Sequence, residues 1–425
     1  MDLTSEQNSV KEKLLLFMQQ PVTICNIIRV EAPAGCGKTV TLANTLPYLK
    51  ENLKEFSPII TAPTHEAVHQ IKIKIKQANK YNFSTTYSAL GYTLEFNKNT
   101  GNLELQNYRG DKLDEYNLLI VDEYSCLPKT LVNHIRELEI KVILIGHEAQ
   151  LPDVDITNSS KNLCIPHFAK EDIQTLYLTK NMRANRELAK FCSMVEKSIH
   201  TNVKPNYTYN PTSYKDFTKH LLDNRESFKQ GDTKVLAYSN KLVDSYNKII
   251  RKVIHKNSNP KKYLPDDLII PTNTCLAFLQ PLKSPSSYSK NSYFPLNTNT
   301  KLVILEVTEV DFLKIPCYLL RIKTSLGGIF YIYTPKGTYT NKSLAKHIHI
   351  NTGNISKKRF SEIFNTFSKL KHNYAITVHR AQGMTIKNVY VAFKDITKCR
   401  NKYLKQRLLY VAYSRAQENL YTIID

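Results

Sequence analysis

Apolar residues in the first 180 positions come in short, nearly continuous runs, at 27–30, 59–61, 118–121 and 142–145. Each run ends in a turn and leads into polar or helical sequence. Runs of this length that do not alternate predict strands buried on both faces, and so a parallel sheet covered by helices. One segment breaks the pattern. Residues 92–106 (YTLEFNKNTGNLELQ) alternate apolar and polar about 97–101, which predicts a hairpin. A second α/β block begins near Leu178, with a strand at 235–238 and a basic helix from about 242 to 255. Residues 268–368 differ in texture, with a Ser-rich loop at 283–292 and short β-rich runs at 301–310, 317–324 and 328–334. That predicts a small inserted β-barrel. The α/β texture returns at Ala375 and closes with a strand at 419–424. The expected domains are therefore 1–177, with the hairpin inserted at about 92–114, then 178–267 plus 369–425, with the barrel at 268–368.

Composition narrows the class. The 425 residues are 42% hydrophobic and 23% charged, which suits a globular chain with true cores. No stretch reaches the roughly 20 apolar residues needed to span a bilayer. The first twenty residues carry acids early and lack the pattern of a signal peptide, so the expected location is intracellular, in the cytoplasm (of an infected host cell if the chain is viral). Eight cysteines never fall into a CxxC pair, which speaks against a disulfide framework or zinc ribbon. The 59 Lys+Arg against 37 Asp+Glu leave a net charge of +22. A surface so basic points to a polyanionic partner.

The chemistry gathers at strand ends, where ligands sit in such sheets. Residues 30–39 (VEAPAGCGKT) follow a strand and open a helix at 40–49, in the P-loop pattern, with Ala32 in place of the usual first Gly. Ala34, Gly35, Cys36 and Gly37 offer backbone N–H groups to phosphate oxygens, and the helix N-terminus adds partial positive charge. Lys38 is suited to the β/γ-phosphates of ATP, and the Thr39 hydroxyl to Mg²⁺. A second strand ends in LLIVDE, residues 118–123. There Asp122 is suited to hold Mg²⁺ and Glu123 to polarise the attacking water.

The order of motifs resembles that of superfamily 1 helicases of the RecD/Dda type, over almost the whole chain. LTSEQ at 3–7 resembles the N-terminal glutamine motif, which implies that Gln7 reads the adenine edge. TAPTHEA at 61–67 is similar to the family's strand end that touches single-stranded DNA. GHEAQLP at 146–152 resembles GDxxQLPP and implies that Gln150 senses the γ-phosphate. LTKNMR at 178–183 resembles LxxNxR, with Arg183 a cation for the γ-phosphate. HRAQGMT at 379–385, with Gly383 beside the nucleotide, and YVAYSRA at 410–416, with Arg415 an arginine finger, complete the set. The resemblance implies two RecA-like P-loop NTPase domains with an inserted hairpin, the pin, and an inserted β-barrel. It also implies 5′→3′ movement on single-stranded DNA, in the compact Dda form. The sequence departs from the family at His147 (usually Asp), at Met182 (often Tyr) and at Tyr87 (usually His).

Arginines on one domain facing a Lys and acids on another make a site that closes on ATP, and closing two domains on a bound strand turns hydrolysis into a step. Strand contacts are expected from Pro63, Thr64, His65, Thr85, Tyr87, Asn240, His379 and Thr385, with Phe96 near the hairpin turn as a wedge. HEAVH at 65–69 also matches the HExxH zinc signature, but it follows the APT turn and has no third-ligand pattern after it. Expected partners are single-stranded DNA, a forked duplex, and single-strand-binding or replication proteins, with no membrane and a monomeric state. An RNA helicase and a DNA translocase that does not separate strands stand as alternatives. A binder without catalysis is disfavoured by the intact Lys38, Asp122, Glu123 and Arg415.

Overall fold

The four apolar runs of the first block form Ile27–Glu31, Pro58–Ala62, Leu118–Asp122 and Lys141–Gly146. With Asn82–Thr85 and Thr175–Tyr177 they make one parallel sheet, in the order 82–85, 58–62, 118–122, 141–146, 27–31, 175–177. The computed structural model describes residues 3–23, 26–75, 77–96, 103–107, 110–152, 168, 173–201, 205–256, 262–282, 293–296, 300–325, 327–337 and 339–425; for 66, 93–96, 103–107 and 357 it describes the backbone only. The hairpin turn expected at 97–101 and the Ser-rich loop at 283–292 lie outside the described residues.

Both faces of this sheet are dry, as the unbroken apolar runs require. On one face Ile28, Val30, Ile120 and Ile143 pack against Val10 and Leu14 of the helix Ser5–Gln19 and Leu42 and Leu46 of the helix Lys38–Asn52. On the other, Leu119, Val121, Val142 and Leu144 meet Leu131, Val132 and Ile135 of the helix Lys129–Arg136. The registers Asp122↔Ile145 and Glu31↔Gly146 bring the carboxyl ends of three neighbouring strands level. The residues after those strands therefore share one edge.

A second parallel sheet runs 375–377, 233–237, 386–392, 416–423, 211–212. The helices Arg186–His200 and Lys402–Tyr413 cover one face, and Asn240–Ile254 the other. The third sheet is antiparallel, with seven strands from Tyr293–Leu296 at one edge to Leu370–His372 at the other. Among the described residues its edge strands do not pair with each other, so the inserted β-barrel takes the form of a half-barrel. Two helices, Asn341–Thr352 and Lys357–Thr366, pack on it near Ile315 and Phe312 through Leu344, Ile348 and Ile363, which a purely β reading of the insert does not foresee. The hairpin forms as Tyr92–Phe96 against Leu103–Asn107.

Candidate nucleotide site between two domains

Residues 32–37 turn from a strand into a helix through two left-handed glycines, Gly35 at φ +91° and Gly37 at φ +80°. A side chain at Gly35 would collide with Asn181, whose Oδ1 lies 2.8 Å from where a Cβ would stand. At Gly37 the Gln7 amide nitrogen fills the same space. Gln7 reaches it because it belongs to a capping box: Thr4 N–H donates to Gln7 Oε1 at 2.9 Å and Gln7 N–H to Thr4 Oγ1 at 3.3 Å. The glutamine expected to read adenine is thus buried against the phosphate loop. Lys38 Nζ donates to the Ala32 carbonyl at 2.8 Å, inside its own loop. Thr39 is half-buried beside it in the first helical turn. Cys36 is buried, with its thiol on the Thr179 carbonyl at 3.4 Å, and burial pushes that thiol's pKa up to about 11.

The two acids share one pocket. Asp122 accepts from the Glu123 N–H at 3.0 Å, and burial, then the Glu123 charge, raise its pKa to about 7, while Lys38 opposes the rise. Glu123 itself adopts φ +57°, a conformation that costs a non-glycine residue about 1–3 kcal/mol and is concentrated at functional sites. Ser125 Oγ donates to Gln150 Oε1 at 3.4 Å, and Gln150 Nε2 is buried without a hydrogen-bond partner.

The second domain closes the site. Gln382 Nε2 reaches Glu123 Oε2 at 3.4 Å and Cys126 Sγ at 2.8 Å. The Tyr410 hydroxyl accepts from the Ala34 N–H of the phosphate loop at 3.3 Å. Arg415 is buried and donates to the carbonyls of Val411 (3.1 Å) and Met384 (3.2 Å) and to Ser414 Oγ (3.0 Å); burial lowers its pKa and the Glu123 charge opposes that. Gly383, at φ +77°, makes the turn between Gln382 and Met384. Arg183 stands on the connector between the strand Thr175–Tyr177 and the helix Arg186–His200, at the start of the stretch expected to form the second domain. The Met182 N–H donates to the Gly35 carbonyl at 2.8 Å, and Asn181 Nδ2 to the Ala34 carbonyl at 3.1 Å, so this connector is fastened to the phosphate loop. Burial, then repulsion from Arg415, push the Arg183 guanidinium down to about 10, with Glu123 opposing, and its Nη1 is buried without a partner. Asn181, Gln382 and Tyr410 were not singled out in the sequence, although each lies inside a motif segment. Lys74 was missed too: partial desolvation and the Arg183 charge lower its pKa, while Asp122 holds it up.

Residues expected to touch a strand stand at the carboxyl edges of the two parallel sheets. Pro63 follows one strand, Thr64 caps the next helix by accepting from the Ala67 N–H at 3.2 Å, and His65 is that helix's first, exposed residue. Thr85 caps residues Thr86–Ala89 by accepting from the Ser88 N–H at 3.2 Å. Tyr87 is half-buried against the first domain's core. On the second domain Asn240 opens a helix after the strand Thr233–Ala237, His379 lies two residues past the strand Ala375–Thr377, and exposed Thr385 precedes Ile386. The His379 ring meets Tyr238 at 6.2 Å between centroids. Phe96 ends the first strand of the hairpin. His65 and His69 gather no metal cluster: among the described residues no group of three or more His, Cys, Asp or Glu side chains could hold a metal ion. No described helix is long and apolar enough to cross a membrane.

Two P-loop-type sheets meeting over a Lys, two acids and two arginines define a two-domain nucleotide-driven motor. The AAA domain family matches residues 20–155, and the UvrD-like helicase C-terminal domain family matches 372–423. The chain is 25% identical to uncharacterized protein R530 of Acanthamoeba polyphaga mimivirus, over 99% of each. It is 24% identical to ATP-dependent DNA helicase dda of Enterobacteria phage T4, over 93% of this chain and 94% of that protein. Its fold superimposes on that of Pif1 helicase from Candida albicans with a TM-score of 0.54, at 15% identity, over 100% of this chain and 95% of that one. In its motif order, its two family matches and its whole-length likeness to dda, the chain resembles the Dda/Pif1-like superfamily 1 helicases.

Proposed function

We propose that this ATP-dependent DNA helicase advances 5′→3′ along single-stranded DNA and parts the duplex at a fork, with Mg²⁺-ATP as its fuel. The observation that carries this reading is convergence: Arg183 and Arg415 come from the connector and the second domain onto the pocket of Glu123, whose other wall is Lys38 and the phosphate loop. The residues suit a magnesium nucleotide. Gly35 and Gly37 open the backbone toward phosphates, the Thr39 hydroxyl and Asp122 carboxylate are hard oxygen donors, and a γ-phosphate would satisfy the orphaned Arg183 Nη1 and Gln150 Nε2. The bound metal would neutralise charge between the β- and γ-phosphates. Within the chain, Lys38 exchanges its Ala32 carbonyl for phosphate oxygens. Glu123 orients the attacking water, Gln150 reads the γ-phosphate, and the two arginines answer the charge that develops on it.

Pro63, Thr64, His65, Thr85 and Tyr87 on one domain, and Asn240, His379 and Thr385 on the other, hold the strand, and the hairpin ending at Phe96 meets the duplex. We read the domains as 1–177, 178–267 plus 369–425, and the insert 268–368. The enzyme is taken to work as an intracellular monomer in replication, recombination or repair, alongside single-strand-binding proteins. Duplexes with a 5′ or a 3′ single-stranded tail, in DNA and in RNA, test this. Unwinding of 5′-tailed DNA is expected, with Lys38→Ala inactive yet still bound to the strand. Unwinding from 3′ tails alone refutes the polarity, unwinding of RNA alone refutes the substrate, and near-normal ATP hydrolysis by Lys38→Ala refutes the site.

A further inference from the structure

The turn after the strand Lys141–Gly146 belongs to the first domain by sequence but is gripped by the second. Ala149 and Leu151 are buried in the second domain's core cluster, beside Leu188 and Val195 of the helix Arg186–His200. Two side-chain pairs tie the turn to that helix: His147 Nε2 to Glu196 Oε1 at 3.3 Å, and His200 Nε2 to Glu148 Oε1 at 3.3 Å. Glu196 and His200 are four residues apart and so share one face of the helix. The order of the partners is reversed between the two rungs, which allows only one register.

The rungs are unequal. His200 and Glu148 are 47% and 40% exposed, so water screens that pair and it contributes little. His147 and Glu196 are 9% and 23% exposed, and there the contact counts. His147 Nδ1 accepts from the Ala149 N–H at 3.4 Å. A ring nitrogen that accepts carries no proton, which leaves the hydrogen on Nε2, the nitrogen that faces the Glu196 carboxylate at 3.3 Å. The same imidazole lies 5.9 Å from the Tyr410 ring, whose hydroxyl sits on Ala34 of the phosphate loop. Its own carbonyl accepts from the Gln150 N–H at 3.1 Å and so folds the turn that aims Gln150.

We propose that Glu196, acting through His147, is a positioning residue by which the second domain sets Gln150 when the two domains close on a nucleotide. This rests on reading Gln150 as the γ-phosphate sensor. Where a carboxylate is expected at position 147, this chain has an imidazole, and the acid stands instead on the facing helix.

The test is a double-mutant cycle on DNA-stimulated ATP hydrolysis, measured with saturating oligothymidylate. Glu196→Met should lower kcat at least about fivefold, the low end of an ordinary coupling between sites, with little change in the KM for ATP. Glu196→Gln keeps an acceptor for His147 and should recover most of the loss. His147→Phe should match Glu196→Met, and the double variant should be no worse than either single one. Normal turnover in Glu196→Met, no recovery in Glu196→Gln, or additive losses in the double variant would overturn the proposal. Gln150→Ala separates the two readings. If it keeps full turnover, the sensor assignment falls and the proposal with it; if it is inactive while Glu196→Met is normal, only the role of Glu196 falls.

Discussion

Asp122 shows how a site residue sets its own terms for stability. Burial and the Glu123 charge raise its pKa from 3.8 to about 7. Between those values the folded chain holds a proton that the unfolded chain has lost. The folded state is therefore penalised as the pH rises from about 4 through about 7, and not below that window. Asp122→Asn removes the titration. In metal-free protein it should raise the thermal midpoint, by more at pH 8 than at pH 5; a gain that is equal at both, or larger at pH 5, would mean that Asp122 is not the strained acid. The types of the residues at the phosphate loop and the acidic strand end are legible in the sequence, because phosphate chemistry needs them at short, fixed spacing. Tyr410 and Gln382 are not, because their partners Ala34 and Glu123 lie 376 and 259 positions away and only the closed domains bring them together.

Periodicity speaks most clearly for elements. The hairpin is legible because apolar and polar residues alternate through both of its strands, and the pairing runs from Tyr92↔Asn107 to Phe96↔Leu103. Its base is fixed: the Lys112 N–H donates to the Ala89 carbonyl at 2.9 Å, and the Tyr92 ring meets His134 edge-on at 5.9 Å. An element anchored at its base and, among the described residues, paired with no further strand is suited to push on something outside the domain. Replacing 94–105 by a short turn should leave DNA-stimulated ATP hydrolysis near normal and abolish strand separation of a forked substrate. Undiminished unwinding would show that the hairpin is not the wedge. The helix Asn341–Thr352 is hidden for the opposite reason. Its HIHI stretch alternates like a strand, whereas the buried pair Leu344 and Ile348 stands at helical spacing, and only the Thr340 cap, accepting from the Ser343 N–H at 3.1 Å, marks where it starts.

At the scale of the molecule, the half-barrel hangs from the second domain at one buried carboxylate. Asp267 accepts from Arg251 Nε at 2.8 and 3.0 Å, His255 Nε2 at 3.1 Å, the Tyr374 hydroxyl at 3.2 Å and the Leu264 N–H at 2.8 Å. Burial works against its charge, but the His372 imidazole 3.5 Å away and the Arg251 hydrogen bonds outweigh it and hold the carboxyl well below the usual range. A depressed carboxylate stabilises the fold above its unfolded pKa, and that contribution is lost as the pH falls below it. Asp267→Asn should cost about 3–5 kcal/mol at neutral pH, as breaking a buried pair does, and should flatten the acid side of the stability profile. An unchanged denaturation midpoint would mean that the anchor lies elsewhere. The surplus charge is the other property of the whole molecule. Fifty-nine Lys+Arg against 37 Asp+Glu exceed what internal pairing needs, and a strand laid along the edges of both sheets would release counterions from every phosphate it brings to them. The logarithm of single-strand affinity should then fall linearly with the logarithm of salt, with a slope of about −0.7 per phosphate contacted. Lys38→Ala, which alters the nucleotide site and not the strand path, should keep the wild-type slope. A slope no steeper than about −0.7, the share of a single phosphate, would detach the basic surface from the strand.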